Sequence, residues 1–170
     1  MQQRAVIAAA LMCDPDLIIA DEPTTALDVT IQMQILALLK HAQETYGSAI
    51  LYISHDLATV SRICERVIIM YAGELVESAS TPELYGEPLH PYTQGLLASI
   101  PPLDGSSEKF LRAIEGQPPK PTEYPIGCRF SPRCAYVEEE CLAEPPRLLK
   151  IGERTVRCIK YKDRADGYAS

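Results

Sequence analysis

Residues 17–28 read LIIADEPTTALD, and this stretch decides the fold of the 170-residue chain. It begins as a short apolar strand and ends in two adjacent carboxylates, Asp21 and Glu22. Charges are costly to bury unless something compensates them, and in open α/β sheets ligands bind at the carboxyl ends of strands. A divalent metal with phosphate oxygens would compensate both acids. We therefore expect Asp21 to hold the metal and Glu22 to handle a water molecule.

A second apolar strand, residues 49–53 (AILYI), runs directly into Ser54 and His55. The intervening residues 29–46 predict an amphipathic helix, because their apolar side chains recur at helical spacing. These apolar positions are Ile31, Ile35, Leu38, Leu39 and Ala42. Asp28 is a favourable N-cap for this helix, and Gly47 is a favourable C-terminal stop. A strand, helix and strand of these lengths predict one βαβ unit with parallel strands, so the acidic pair and the histidine should share one edge of the sheet.

Three of these segments, LIIADEP, TALD and YISHD, resemble the Walker B, D-loop and switch-histidine segments of ABC-type ATPases. The opening MQQRAVIAAALM resembles the helix that follows the LSGGQ-type signature of the same family. The resemblance covers roughly the first half of the chain. It implies that the chain is related to enzymes that bind ATP and Mg²⁺ and hydrolyse the nucleotide.

The resemblance also implies a role for each matching residue. Asp21 would assist Mg²⁺ binding, and Glu22 would act as the general base that polarises the attacking water. Asp28 would lie in the loop that communicates across a nucleotide-sandwich dimer, and His55 would contact the γ-phosphate. Three of them have a simpler alternative: Asp28 is an ordinary helix cap, Asp21 is a strand-end cap, and an isolated histidine after a strand is more often structural.

Other parts of an ABC ATPase do not occur in these residues. The phosphate loop G-x-x-x-x-G-K-[ST] is not found, and neither are the signature tetrapeptide and the glutamine loop. We therefore expect the chain to correspond to the carboxyl-terminal half of an ATPase subunit. By itself it should have no ATPase activity.

Charge and proline content divide the chain. The net charge of −7 argues against a nucleic-acid partner bound through phosphate contacts. Residues 1–80 contain 2 prolines and residues 81–170 contain 12, which predicts a boundary near residue 80. Residues 66–77 predict a β-hairpin that turns at Ala72 and Gly73. The longest uninterrupted apolar run, residues 5–13, is too short to span a bilayer.

The second half carries three further motifs: HPYTQGLL, IEGQPP and GCRFSPRC. In this order they resemble the carboxyl-terminal extension of oligopeptide and dipeptide importer ATPases. The resemblance implies uptake of peptides or, in related groups, of nickel. It also implies a second ABC ATPase subunit, two transmembrane permease subunits and an extracytoplasmic peptide-binding protein as partners. The chain would then lie at the cytoplasmic face of the cell membrane.

Four cysteines lie in this extension with the spacing C-x5-C-x6-C-x16-C, namely Cys128, Cys134, Cys141 and Cys158. Their segment has little apolar material, so a cross-link would supply missing stability. The residues leave two disulfides, a zinc ion, a [4Fe–4S] cluster and four free thiols open. Some peptide-importer ATPases carry an iron–sulfur cluster in this extension, and that resemblance favours [4Fe–4S] over Zn²⁺. Arg129 and Arg133 are expected to offset the charge of the thiolates.

The predicted fold is therefore α/β, with half of a RecA-like P-loop NTPase core and its parallel sheet in residues 1–80. A small irregular cysteine-rich domain is expected in residues 81–170. Two other functions compete with that of a peptide-importer ATPase. One is a soluble ABC ATPase that acts on DNA or ribosomes, which the acidic charge disfavours. The other is a non-catalytic metal-binding or interaction module.

Overall fold

The computed structural model describes residues 2–25, 27–100 and 113–169, and it has an α/β fold. The chain forms two compact units, residues 1–64 and residues 65–170. The first contains α1 (Gln2–Leu11), β1 (Leu17–Asp21), α2 (Val29–Tyr46), β2 (Ala49–Ile53) and α3 (Leu57–Ile63). The second contains β3 (Arg66–Tyr71), β4 (Glu74–Ser80), α4 (Thr81–Gly86), α5 (Pro91–Ala98), α6 (Glu139–Ala143), β5 (Leu149–Ile151), β6 (Arg154–Val156) and β7 (Gly167–Tyr168), with 3₁₀ turns at Ser131–Arg133 and Ile159–Arg164.

In the first unit, β1 and β2 pair in parallel over their whole lengths, as the βαβ pattern predicts. α2 lies between them in sequence and covers one face of the pair. Ala20 of β1 packs there against Ile35 and Leu39 of α2. Burial of these apolar side chains stabilises the pair of strands, because a two-stranded sheet is marginal without a packed face.

Both predicted ends of α2 are present. The Asp28 side chain accepts a hydrogen bond from the backbone N–H of Ile31 at 2.9 Å, which satisfies one of the unpaired donors at the helix start. Gly47 has φ = 70° and its N–H donates to the carbonyl of Gln43. A left-handed residue at this position is favourable for glycine because it has no Cβ.

The opposite face of the β1–β2 sheet is apolar and exposed. Its side chains are Leu17, Ile19, Leu51 and Ile53, which are between 43% and 63% exposed. The register places Leu17 opposite Ala49 and Ile19 opposite Leu51, so these residues share one face. Within the described residues, no helix has both the length and the apolar character needed to cross a lipid bilayer.

The second unit is built on an antiparallel sheet with the strand order β3-β4-β6-β5-β7. The predicted hairpin turn is confirmed, since Ala72 and Gly73 both have positive φ, at 48° and 82°. β6 pairs with β4 through Glu77 opposite Val156. Because of this pairing, the expected separate cysteine-rich domain is not shown: the extension forms one compact unit with the β3–β4 hairpin. The assignment of residues 1–80 and 81–170 to two family modules stays a prediction.

A fully buried carboxylate connects the strands of this unit. Glu77 on β4 accepts hydrogen bonds from the backbone N–H of Leu89 at 2.9 Å and of His90 at 2.8 Å. The guanidinium of Arg154 on β6 lies 3.1 Å from the same carboxylate, and both residues are buried. A buried carboxylate needs such donors to offset the loss of water. Glu77 therefore fixes the start of α5 and the position of β6 relative to β4.

Arginine side chains hold the irregular segments of this unit to backbone carbonyls. Arg133 donates to the carbonyls of Ile114 at 3.0 Å and Glu115 at 2.8 Å. Arg157 donates to the carbonyls of Leu75 at 2.9 Å and Pro146 at 3.1 Å. The carbonyls of Ile114, Glu115 and Pro146 lie in segments without regular secondary structure, whereas that of Leu75 lies on β4, and these guanidinium groups satisfy all four.

We expect Arg154→Met to lower the free energy of unfolding by about 3–5 kcal/mol, because it leaves the buried Glu77 carboxylate without its counter-charge. Urea unfolding followed by circular dichroism measures this change. The control is Lys150→Met, which removes an exposed positive charge from the neighbouring strand β5. Equal losses in the two variants would contradict the role given to the buried pair.

Candidate nucleotide site and cysteine cavity

Glu22 and His55 lie in contact at the carboxyl edge of the parallel sheet. The register ends with Asp21 opposite Ile53, and the backbone N–H of Glu22 then donates to the carbonyl of Ile53 at 3.0 Å. The Glu22 Oε1 and His55 Nδ1 atoms are 2.8 Å apart. The structure therefore brings the two side chains to one edge of the sheet, as the spacing predicts.

The backbone of Glu22 has an unusual conformation. Its φ of 46° lies in the left-handed region, which is unfavourable for a residue with a side chain. Such a conformation costs of order 1 kcal/mol or more and persists only when its surroundings hold it. Here the bond from Glu22 N–H to Ile53 and the bond from Thr25 N–H to the Glu22 carbonyl, at 3.2 Å, fix the turn. This turn carries the carboxylate towards His55.

Thr25 is a residue of this site that sequence reasoning did not identify. Its hydroxyl donates a short hydrogen bond to Glu22 Oε2, so each carboxylate oxygen of Glu22 has a protein partner. The available signal was the spacing of three residues between Glu22 and Thr25, with Pro23 between them.

These contacts shift the protonation of both groups. The hydrogen bond from Thr25, followed by that from His55, lowers the pKa of Glu22. The hydrogen bond to Glu22 and its negative charge raise the pKa of His55. The two shifts favour an ionised carboxylate beside a protonated imidazole. The charge attraction in this contact is lost as pH rises through the raised pKa of His55, or as pH falls through the lowered pKa of Glu22.

The loop that carries His55 is tied to the first turn of α3. Asp56 caps this helix by accepting from the N–H groups of Ala58 at 3.0 Å and Thr59 at 3.3 Å. The Gln32 amide of α2 donates to the Thr59 hydroxyl at 2.8 Å. The hydrogen bond from the Thr59 hydroxyl lowers the pKa of Asp56, which keeps the cap ionised. His55 therefore extends from a position that two helices fix.

The other two predicted nucleotide-site residues have simpler surroundings. Asp21 is exposed at the last position of β1, where a carboxylate can reach a metal ion. Asp28 is the N-cap of α2, so the structural alternative for this residue is confirmed. Its role across a dimer stays a prediction.

All four cysteines of the extension line one cavity of about 110 Å³. All six cysteines of the chain, each within the described residues, are free thiols. Burial raises the pKa of the Cys128, Cys134 and Cys158 thiols, the last to about 11. The thiols are consequently protonated at neutral pH.

A close backbone approach brings two of these cysteines together. The N–H of Cys128 donates to the carbonyl of Cys141 at 2.8 Å. A Cβ atom on Gly127 would lie 2.1 Å from that carbonyl oxygen, far inside the contact distance. Only glycine fits at this position, so GCRFSPRC requires its first residue for packing rather than for a turn.

The metal predicted at these cysteines has no support from a preformed ligand set. Among the described residues, no group of three or more histidine, cysteine, aspartate or glutamate side chains is arranged to hold a metal ion. The four thiols share a cavity. This is a weaker requirement than lying at coordination distance from one metal ion. Neither Arg129 nor Arg133 lines the cavity, where the lining cation is Lys160, and their effect on the charge of the thiolates stays a prediction. Arg129 instead pairs with Glu74 at 3.4 Å.

Known proteins resemble both the extension and the nucleotide-site segment. Residues 76–141 match the family model described as oligopeptide/dipeptide transporter, C-terminal region. The oligopeptide transport ATP-binding protein AppD of Bacillus subtilis is 53% identical over 165 residues, which cover 96% of this chain and 50% of that protein. A putative peptide import ATP-binding protein of Brucella ovis is 46% identical over 171 residues, which cover 97% of this chain and 51% of that protein.

These matches confirm the resemblance that the sequence motifs predict, namely to the ATP-binding proteins of oligopeptide and dipeptide importers. The chain spans about half the length of the curated relatives it matches.

We expect Glu22→Gln to lower the pKa of His55 towards its ordinary value of 6.5, because it removes the carboxylate that stabilises the protonated ring. NMR titration of the imidazole C–H signals measures this shift, and His90 is distinguished by its pKa of about 4, which burial lowers. The control is Asp21→Asn, which removes the adjacent carboxylate and should leave the His55 pKa unchanged. An unchanged pKa in Glu22→Gln would contradict the observed pair.

Proposed function

We propose that this chain is the carboxyl-terminal part of an ATP-binding subunit that energises the import of oligopeptides or dipeptides by an ABC transporter. The observation that carries the proposal is the contact of Glu22 with His55 at the carboxyl edge of two parallel strands. The relatives support it, because they are named as oligopeptide and peptide import ATP-binding proteins. The fold that the proposal requires is half of a RecA-like core.

The two side chains offer a base and a hydrogen-bond donor for hydrolysis of a phosphoanhydride. An ionised Glu22 can accept the proton of a water that attacks the γ-phosphate. A carboxylate offers about four acceptor positions. Thr25 and His55 occupy two of these positions, which leaves room for the water. A protonated His55 can donate to a γ-phosphate oxygen and stabilise the charge that develops there.

Asp21 is the residue that would hold Mg²⁺, directly or through water. Its exposed carboxylate at the end of β1 has the hard oxygen ligands that this ion prefers. When bound, Mg²⁺ supplies neutralisation of the charge on the phosphate oxygens. Asp28 would keep its capping bond while its loop faces a second ATPase subunit.

The other proposed partners are two transmembrane permease subunits and an extracytoplasmic peptide-binding protein, with the subunit at the cytoplasmic face of the membrane. The alternative of a non-catalytic metal-binding module is not supported, since the relatives are ATP-binding proteins. A nickel cargo also lacks support, because the relatives are named for the import of peptides or oligopeptides and the matched family is that of oligopeptide/dipeptide transporters.

The ATPase proposal is tested in a polypeptide that carries these residues together with a phosphate loop. Glu22→Gln and His55→Ala should each lower the rate of ATP hydrolysis by about 10²–10⁴-fold, the usual contribution of a general acid or base. The matched controls are Glu44→Gln and His41→Ala, which alter exposed residues of α2 and should leave the rate unchanged.

The 170-residue chain by itself should show no nucleotide-dependent turnover, because it has no phosphate loop. Full activity in the Glu22 and His55 variants, or turnover by the chain alone, would contradict the proposal.

We further propose that Cys128, Cys134, Cys141 and Cys158 hold a [4Fe–4S] cluster, with Zn²⁺ as the alternative. The shared cavity supports this assignment. A single tetrahedral zinc with Zn–S bonds near 2.3 Å requires sulfur atoms about 3.8 Å apart. In a four-iron cluster each thiolate binds a different iron, so the four sulfur atoms stand further apart. When bound, either group would supply a structural cross-link.

The metal proposal predicts iron and acid-labile sulfide in the chain purified without oxygen, with a brown colour and absorbance near 400 nm. Cys134→Ser should abolish the colour, whereas Cys13→Ser, at an exposed cysteine of the first unit, should preserve it. Stoichiometric zinc without iron would establish the alternative, and a chain without metal after reconstitution would refute both.

A further inference from the structure

The hydroxyl of Ser131 has an unusual position in the cysteine cavity. Ser131 begins the 3₁₀ turn Ser131–Arg133 and is 5% exposed. Its side chain lines the same cavity as the four thiols. Within the described part of the chain, its Oγ atom has no hydrogen-bond partner.

A buried hydroxyl without a partner costs free energy, and native proteins rarely contain one. The backbone of Ser131 is fully engaged, since its N–H donates to Cys128 at 2.9 Å and its carbonyl accepts from Cys134 at 3.3 Å. Other serines of the chain satisfy their hydroxyls on nearby carbonyls, as Ser99 does with Leu96 at 2.7 Å. The unpaired hydroxyl therefore calls for a partner inside the cavity.

The charge of a metal-bound thiolate supplies such a partner. The only cationic side chain that lines the cavity, among the described residues, is Lys160. Its ammonium lies 4.5 Å from the ring centre of Tyr136, in a cation–π contact. The Ser131 hydroxyl is therefore a buried side-chain donor of the cavity wall whose hydrogen bond is still available to a sulfur atom.

We propose that Ser131 donates a hydrogen bond to a sulfur atom of the group that the four cysteines hold, and so acts as a positioning residue for it. This inference rests on the metal site proposed above. Hydrogen bonds to sulfur raise the reduction potential of iron–sulfur clusters, and outer hydrogen bonds increase the retention of bound metals. Ser131 should therefore affect the metal-loaded protein and leave the metal-free protein almost unchanged.

The experiment compares Ser131→Ala with Thr93→Val in the full chain after reconstitution with iron and sulfide. Thr93 is a matched control, because its hydroxyl is also buried and unpartnered among the described residues but does not line the cavity. Ser131→Ala should shift the reduction potential to a lower value and speed chelator-driven iron release roughly tenfold. Thr93→Val should change neither quantity. The unfolding midpoints of both metal-free variants should match that of the parent chain.

The outcomes separate the two proposals. If the parent chain binds neither iron nor zinc, the metal site fails and the inference fails with it. If the parent chain binds metal but Ser131→Ala keeps the parent potential and release rate, only the role of Ser131 is overturned. If zinc alone binds, the release rate decides, and an equal rate in the two variants overturns the inference.

Discussion

The carboxylate of Glu77 determines how the second unit folds. It has no exposed surface, and its three donors come from the N–H groups of Leu89 and His90 and from the guanidinium of Arg154. The two N–H donors lie just beyond α4 and the guanidinium lies on the distant strand β6, so the buried charge can exist only where both segments return to it. A buried charge without partners is strongly destabilising, and this requirement selects one path for the chain. That path also places His90 in the wall of the cysteine cavity.

The first unit depends on a different constraint, the register of two parallel strands. A shift by one residue would turn Ala20 away from α2 and move the carboxylate of Glu22 away from the ring of His55. The left-handed backbone of Glu22 then completes the site, because it turns the side chain where the ladder ends. The register of β1 and β2 therefore determines both the packing of Ala20 against α2 and the placement of the acid–histidine pair. A substitution in this face would affect both stability and the geometry of the site.

Local signals in the sequence were sufficient for the parallel strands, for α2 and for the hairpin turn. Asp28 and Gly47 mark the ends of α2 because capping depends on residues close in sequence. The pairing of β4 with β6 was not predicted, since most of the extension separates the two strands in sequence. The short bond from Thr25 to Glu22 and the unpaired hydroxyl of Ser131 also escaped prediction. Both depend on side-chain positions that hydrophobic periodicity does not specify.

The structure changes the reason for expecting a metal in the extension. The sequence argument was that a segment with so little apolar material needs a cross-link to be stable. The second unit instead has a core that includes Leu89, Val156 and Tyr161, and its arginines satisfy the carbonyls of the irregular segments. Stability therefore no longer requires a metal there. The remaining argument is chemical: four thiols and a buried, unpaired hydroxyl meet in one cavity, beside apolar side chains such as Phe130 and Ile159.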